Sequence, residues 1–127
     1  MKEKVICDTG VLSRYLSKQR TDIINTIDNY IGVENICITS ANRIELLNWL
    51  SGYRDLIKTQ RAFLKKYILS IPLLHINESI SKIATEISEK NINSKPVDTF
   101  ICATARYHNI KIYTIDDDFK QIKAPLY

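Results

Sequence analysis

Four short runs of β-branched and other apolar residues alternate along this chain with longer segments of helical spacing, and this alternation limits the fold more than any other feature. Strands that alternate with helices favour a parallel sheet with helices on both faces, so the predicted class is α/β. The predicted strands cover residues 4–7, 35–39, 70–76 and 110–115. In the predicted helices apolar residues recur every three or four positions, over residues 9–18, 21–31, 40–52, 53–68, 78–90 and 97–109.

Two further elements are predicted near the C-terminus. Residues 116–122 combine a loop with a short helix, and residues 125–127 suit a last edge strand. Thr21 and the segment Asn42–Glu45 have the residue types of helix caps, and Gly52 suits the end of a helix.

The length and composition place the chain among globular proteins. Its 127 residues, 45% hydrophobic and 25% charged, suit one domain, which we expect to cover residues 1–127. No apolar run is long enough to span a membrane, and Asp8 interrupts the apolar start of the chain, which argues against a signal peptide. The cysteines lack zinc or redox spacing, so we expect buried thiols in a cytoplasmic protein. They are Cys7, Cys37 and Cys102.

Acidic side chains occur at four places that follow a predicted strand or open the next helix. They are Asp8, Glu45, Asp98 and the run Asp116, Asp117 and Asp118. Because sites in parallel sheets form beyond the carboxyl ends of the strands, we expect these acids to converge. The net charge of +4 is compatible with a polyanionic partner.

Each acid alone also suits a structural role. Asp8 and Asp116 can cap helices and Asp98 can favour a helix dipole, each contributing about 0.3–2 kcal/mol. Several carboxylates in one cleft, however, repel each other unless some are protonated. A divalent cation removes that conflict, and Mg²⁺ and Mn²⁺ both take oxygen ligands. The acids together therefore predict a Mg²⁺ or Mn²⁺ site.

Three stretches carry a resemblance to a known family. In order, they are "VICDTGVLSRYL" (5–16), "ITSANRIELLNWL" (38–50) and "PVDTFICATARYHNIKIYTIDDDF" (96–119). They resemble the motifs of the PIN domain, most of all its small single-domain toxins, the VapC-type ribonucleases of toxin–antitoxin pairs. The resemblance covers essentially the whole chain. It implies a three-layer α/β fold with a central parallel sheet of four to five strands flanked by helices.

The same resemblance implies a site. Carried over position by position, the implied catalytic residues and metal ligands are Asp8, Glu45, Asp98 and Asp116, with Asp118 as a further metal ligand. Either Asp116 or Asp118 is the fourth acid, and Asp117 is expected to face water. Thr9 and Thr114 match hydroxyl positions that would hydrogen-bond the carboxylates, and Gly10 stands where family members often carry Asn.

The implied activity is metal-dependent hydrolysis of RNA. A divalent ion would activate a water molecule and neutralise charge on the phosphate, giving 5′-phosphate and 3′-hydroxyl products. The family implies a type II toxin that inhibits translation or growth. It also implies a small antitoxin protein as partner, and a homodimer.

A basic stripe is expected on the helix predicted at 53–68. Arg54, Lys58, Arg61 and Lys65 have the spacing of one helix face, with Ile57, Phe63, Leu64 and Ile68 largely opposite. These four cations either contact RNA phosphates or an acidic partner, or form the solvated face of an amphipathic helix. Arg14 and Arg106 could contact RNA or pair with nearby acids.

The apolar group Leu46, Leu50, Trp49 and Tyr53 suits the core, although it could also serve an interface. His75 and His108 could form an acid–base pair in a metal-independent ribonuclease, but we interpret both as structural.

Three rival functions remain open. A catalytically silent PIN-like RNA-binding or adaptor module would carry the acids without binding metal. A DNA nuclease could use the same fold. A phosphotransfer receiver also clusters acids around Mg²⁺, but it would carry paired acids after the first strand, where Asp8 stands alone.

Overall fold

A sheet of four parallel strands lies at the centre of the computed structural model, which describes residues 3–127. The strands are β1 (Val5–Cys7), β2 (Ile36–Thr39), β3 (Leu73–Leu74) and β4 (Lys111–Tyr113). Their order in the sheet is β3-β2-β1-β4, and every pair is parallel. In the central strand β1, Ile6 lies opposite Cys37 of β2 and Ile112 of β4. This confirms the predicted α/β class.

Helices cover both faces of the sheet. They are α1 (Thr9–Leu16), α2 (Thr21–Asn25), α3 (Ser40–Gly52), α4 (Lys58–Ser70), α5 (Glu78–Lys90), α6 (Pro96–His108) and α7 (Asp118–Gln121). A π-helical segment, Thr26–Ile31, follows α2 directly, and a 3₁₀ turn, Val33–Asn35, leads into β2. Among residues 3–127, no helix is long and apolar enough to cross a membrane.

Two apolar clusters lie on opposite faces of the sheet because side chains alternate along a strand. Val5 and Cys7 of β1 join α1, α2 and part of α3 on one face, whereas Ile6 packs with α5 and α6 on the other. Burial on both faces accounts for the apolar residues of β1 and for those of β2 up to Thr39, which is also buried. All three cysteines are buried and free, as predicted.

Several predicted boundaries were wrong. The helix expected over 53–68 begins only at Lys58, because residues 53–57 form the connection from α3. It then runs on to Ser70, which leaves the strand expected over 70–76 only two residues long, after Pro72. The edge strand expected over 125–127 is a single bridge between Ile112 and Leu126.

Candidate active site

Asp8 is held where β1 ends and α1 begins. It is the N-cap of α1 and is only 6% exposed. One carboxylate oxygen accepts the Thr9 backbone N–H at 2.8 Å, and the other accepts the Thr114 hydroxyl at 3.0 Å. Burial raises the pKa of Asp8, and the charges of Glu45 and Asp116 add to this, while the two hydrogen bonds oppose it. Asp8 is therefore both a cap and one of several mutually repelling acids.

A buried asparagine joins the ends of β1 and β2. The Asn42 side chain and the Thr39 backbone and hydroxyl form the capping box of α3, so the box expected over Asn42–Glu45 was wrong. The Asn42 amide also donates to the Cys7 carbonyl at 2.8 Å. This contact fixes the start of α3 beside Asp8. Glu45, one turn further on, is exposed and accepts the Thr9 hydroxyl at 2.7 Å.

Asp98 lies in the first turn of α6 and, with Asp8, is one of two buried acids in the part of the chain that the structure describes. Pro96 opens the helix, and the Asp98 side chain turns inward with 9% exposure. Its Oδ2 atom is buried and, among residues 3–127, has no hydrogen-bond partner. Burial, with the charges of Asp8 and Asp116, raises its pKa to about 6. Such a side chain is poorly explained as a cap alone.

The segment after β4 contributes the last acids. The Asp116 N–H donates to the Thr114 hydroxyl at 3.0 Å, and the Asp118 N–H donates to Asp116 Oδ1 at 2.9 Å. Carboxylate oxygens of Asp98, Asp116 and Asp118 all lie within 4.8 Å of one another. Asp117 instead points to solvent and pairs with Lys120 at 3.2 Å. Both candidates for the fourth acid thus belong to the cluster, while Asp117 faces water as expected.

One open cavity of about 740 Å³ joins these segments. The four acids named from the sequence all line it: Asp8, Glu45, Asp98 and Asp116. Their oxygen donors suit a hard divalent cation. The unpartnered Asp98 oxygen and the raised pKa of Asp98 and Asp8 are features that a bound cation would relieve. The residues present therefore fit Mg²⁺ or Mn²⁺.

Two cations border the acids, and sequence reasoning missed one of them. Lys95 lines the cavity, and its ammonium lies 3.5 Å from Asp118 Oδ2. The hydrogen bond with Asp118 raises the pKa of Lys95, and further acids add to this. The sequence signal for Lys95 was its position directly before Pro96, at the start of the helix that carries Asp98. Arg14 also lines the cavity, where its guanidinium donates to the Gly10 carbonyl at 3.0 Å.

The predicted basic stripe does not form as expected. Arg54 lies in the connection before α4, and none of Arg54, Lys58, Arg61 and Lys65 lines the cavity. The Arg61 guanidinium donates to the carbonyls of Leu50 and Tyr53 at the end of α3, so it holds two helices together.

The apolar side of α4 was predicted correctly only in part. Leu64 and Ile68 pack in the core as expected, together with Tyr67. Ile57 and Phe63, which were expected on the same side, are 65% and 70% exposed.

The remaining sequence candidates lie outside the acid cluster or beside it. Arg106 donates to the carbonyls of Ile122 and Lys123, so it anchors the C-terminal segment rather than pairing with an acid. His75 and His108 are exposed, and neither of them lines the acidic cavity.

Trp49 belongs to the cavity wall. It lines the cavity and packs edge-to-face on Tyr53 at 5.3 Å, whereas Leu46 and Leu50 are core residues.

Comparison with protein families gives a match over nearly the whole chain: the PIN domain family model matches residues 5–125. No curated protein sequence matches the chain significantly.

Solved structures of similar fold come from bacterial toxin–antitoxin proteins. A DNA-bound VapBC complex from Salmonella typhimurium is 16% identical, covering 98% of this chain and 96% of that chain, with a TM-score of 0.78. FitAcB from Neisseria gonorrhoeae is 19% identical over 97% and 96%, with a TM-score of 0.77. A sarcin–ricin-loop-cleaving VapC toxin from Mycobacterium tuberculosis is 14% identical over 95% and 96%, with a TM-score of 0.74. At these identities the likeness establishes the fold alone.

Proposed function

We propose that this chain, which belongs to the PIN domain family, is a divalent-metal-dependent endoribonuclease. One observation carries the proposal: four segments far apart in sequence bring acids to one cavity, and a buried oxygen of one of these acids, Asp98, has no partner among the described residues. An adaptor module has no need to hold ionisable groups in this costly arrangement. RNA as the substrate is supported by the VapC toxin of similar fold that is described as cleaving the sarcin–ricin loop.

Asp98, Asp116 and Asp118 would hold the ion, because their carboxylate oxygens already lie within 4.8 Å of one another. Asp8 and Glu45 would complete the acidic wall, since each oxygen that accepts a hydrogen bond keeps a second lone pair. When bound, Mg²⁺ or Mn²⁺ supplies an activated water and neutralises charge on the scissile phosphate.

The hydroxyls of two threonines orient the acids. Thr9 bridges Asp8 and Glu45 through its N–H and hydroxyl, and Thr114 bridges Asp8 and the Asp116 backbone. These contacts restrict the carboxylates before substrate arrives, which lowers the cost of ordering them during the reaction. Lys95 and Arg14 lie where a phosphate oxygen could be met by a positive charge.

The biological setting is part of the proposal. Complexes of similar fold contain toxins with antitoxins, which supports a toxin that inhibits translation or growth and is held by a small antitoxin protein. We further propose that it acts as a homodimer in the cytoplasm.

The decisive test uses purified protein freed of any co-purified partner. Cleavage of mixed cellular RNA in Mn²⁺ should stop in EDTA and in folded Asp98→Asn, and should persist in Asp117→Asn, which removes an exposed acid of the same segment. Products should carry 5′-phosphate and 3′-hydroxyl ends. Activity that survives EDTA would contradict the metal mechanism. No cleavage of any RNA, with no binding of Mn²⁺, would favour the silent RNA-binding module.

A further inference from the structure

A second, smaller cavity adjoins the acidic one. Its volume is about 380 Å³, and it lies between the α5–α6 loop and α7. We call it the side cavity, and its principal lining residues are Asn93, Lys95, Asp98, Asp118, Gln121 and Ile122. Lys95 and Asp98 line both cavities. An RNA strand with its phosphate at the acids could therefore place an adjoining group in the side cavity.

The walls of the side cavity are held in place by the chain itself. The Asn91 amide donates to the Ile87 carbonyl at 2.9 Å, and the Ser94 N–H donates to the Asn91 carbonyl at 2.9 Å. On the opposite side, the Arg106 guanidinium donates to the Ile122 carbonyl at 2.7 Å. The cavity is thus a built feature rather than a gap between two unattached loops.

Its chemistry favours a neutral, polar group over an anion. Asp98 and Asp118 would be occupied by the ion, which among the described lining residues leaves Lys95 as the one cation for a further anion, and Lys95 already pairs with Asp118. Asn93 and Gln121 are exposed residues of the lining, and their side-chain amides each offer donors and an acceptor. Ile92, which is 91% exposed, adds an apolar surface to the same lining. Amide groups beside an apolar side chain suit the binding of a nucleobase, because the edge of a base carries donors and acceptors while its face is apolar.

We infer that the side cavity binds the base of a nucleotide next to the scissile phosphate, with the Asn93 and Gln121 amides reading its edge. This inference rests on the proposed ribonuclease function. It makes the two amides specificity-determining residues of that reaction.

The first test measures binding without cleavage. In Mg²⁺, the side-chain amide NMR signals of Asn93 and Gln121 are followed during titration with the four nucleoside 3′,5′-bisphosphates, and with ribose 5-phosphate as the baseless control. At least one base should shift these signals, with affinities that differ roughly fivefold or more between bases, as expected for a paired edge contact. Ribose 5-phosphate should leave them in place. Signals that stay fixed, or that move equally with ribose 5-phosphate, would overturn the inference.

The second test uses cleavage. The double variant Asn93→Ala, Gln121→Ala changes two exposed residues and should reduce the base preference next to the cleaved bond to less than about twofold. Gln19→Ala, which changes an exposed residue that lines neither cavity, should keep the preference. An unchanged preference in the double variant would also overturn the inference. If base-dependent shifts occur but no RNA is cleaved, the proposed function fails while the base site stands. If RNA is cleaved without base-dependent shifts, the base site fails alone.

Discussion

Replacing Asp98 with Asn should make the metal-free protein more stable and should also remove most of its stabilisation by Mn²⁺. The two effects share one cause, since the Asp98 carboxylate is buried beside Asp8 and Asp116 and one of its oxygens has no partner within residues 3–127. Ionising it without a cation is unfavourable. An amide has no charge to desolvate and can donate to the neighbouring carboxylates.

The size of the gain follows from the pKa of Asp98, which is raised from 3.8 to about 6. At about 1.4 kcal/mol per pKa unit, the upper bound is roughly 3 kcal/mol. Because the cavity opens to solvent, we expect screening to reduce the measured gain to about 1–2 kcal/mol.

The sign depends on pH. An acid whose pKa is raised by folding holds its proton more tightly in the folded state, so its contribution to stability is present at low pH and is lost as pH rises through about 4–6. The asparagine of the variant does not ionise in this range, so the variant keeps its stability as the pH rises. The difference between variant and wild type should therefore be near zero at about pH 4 and reach its full value by about pH 7.

Urea unfolding of both proteins in EDTA, across this pH range, measures the effect. Repeating the experiment in Mn²⁺ should stabilise the wild type, by roughly 2.7 kcal/mol at a hundredfold excess over the dissociation constant, and the variant by far less. Asp117→Asn is the matched control, because Asp117 is exposed and its carboxylate pairs with the exposed Lys120. A variant that is less stable than wild type in EDTA, or one that keeps the full Mn²⁺ effect, would refute the reasoning.

Three further substitutions test other parts of the site and its support. Asn42→Ala should lower the free energy of unfolding by about 2–4 kcal/mol, because the Cys7 carbonyl loses its buried donor; a loss below about 1 kcal/mol in urea unfolding would contradict this role. Arg61→Ala should cost about 1–2 kcal/mol by removing donors at the end of α3, whereas its neighbour on the same face, Lys65→Ala, should change stability by less than about 0.5 kcal/mol. Equal losses of stability in Arg61→Ala and Lys65→Ala would argue against Arg61 as a cap of the α3 C-terminus. Lys95→Gln should tighten Mn²⁺ binding roughly two- to fivefold in calorimetry, since the ammonium that pairs with Asp118 competes for the acids; weaker Mn²⁺ binding would reverse that interpretation.

Local sequence patterns were enough to predict the fold class and most of the acids of the candidate site. A strand buried on both faces is mostly apolar, so β1 and β2 could be recognised from their own residues. Asp8 and Asp98 stand out because each interrupts an apolar segment at the end of a strand or the start of a helix. In a parallel sheet, those positions fall on one edge whatever the connecting helices do.

The tertiary structure decided what depends on the partner of each side chain. Arg61 has the spacing of an exposed cation, and only the position of the α3 end turns its guanidinium inward. The bonds of Asn42 and Lys95 are likewise made to segments that sequence spacing does not place beside them.

Asp98 shows most clearly which properties the sequence determines and which depend on the tertiary structure. Its residue type and helix position follow from the sequence alone. Its raised pKa follows first from its burial and then from the charges of Asp8 and Asp116, which approach it only in the folded chain. Charge interactions fall with distance through space, not along the chain, so the acids could be named from the sequence while their coupling required the fold.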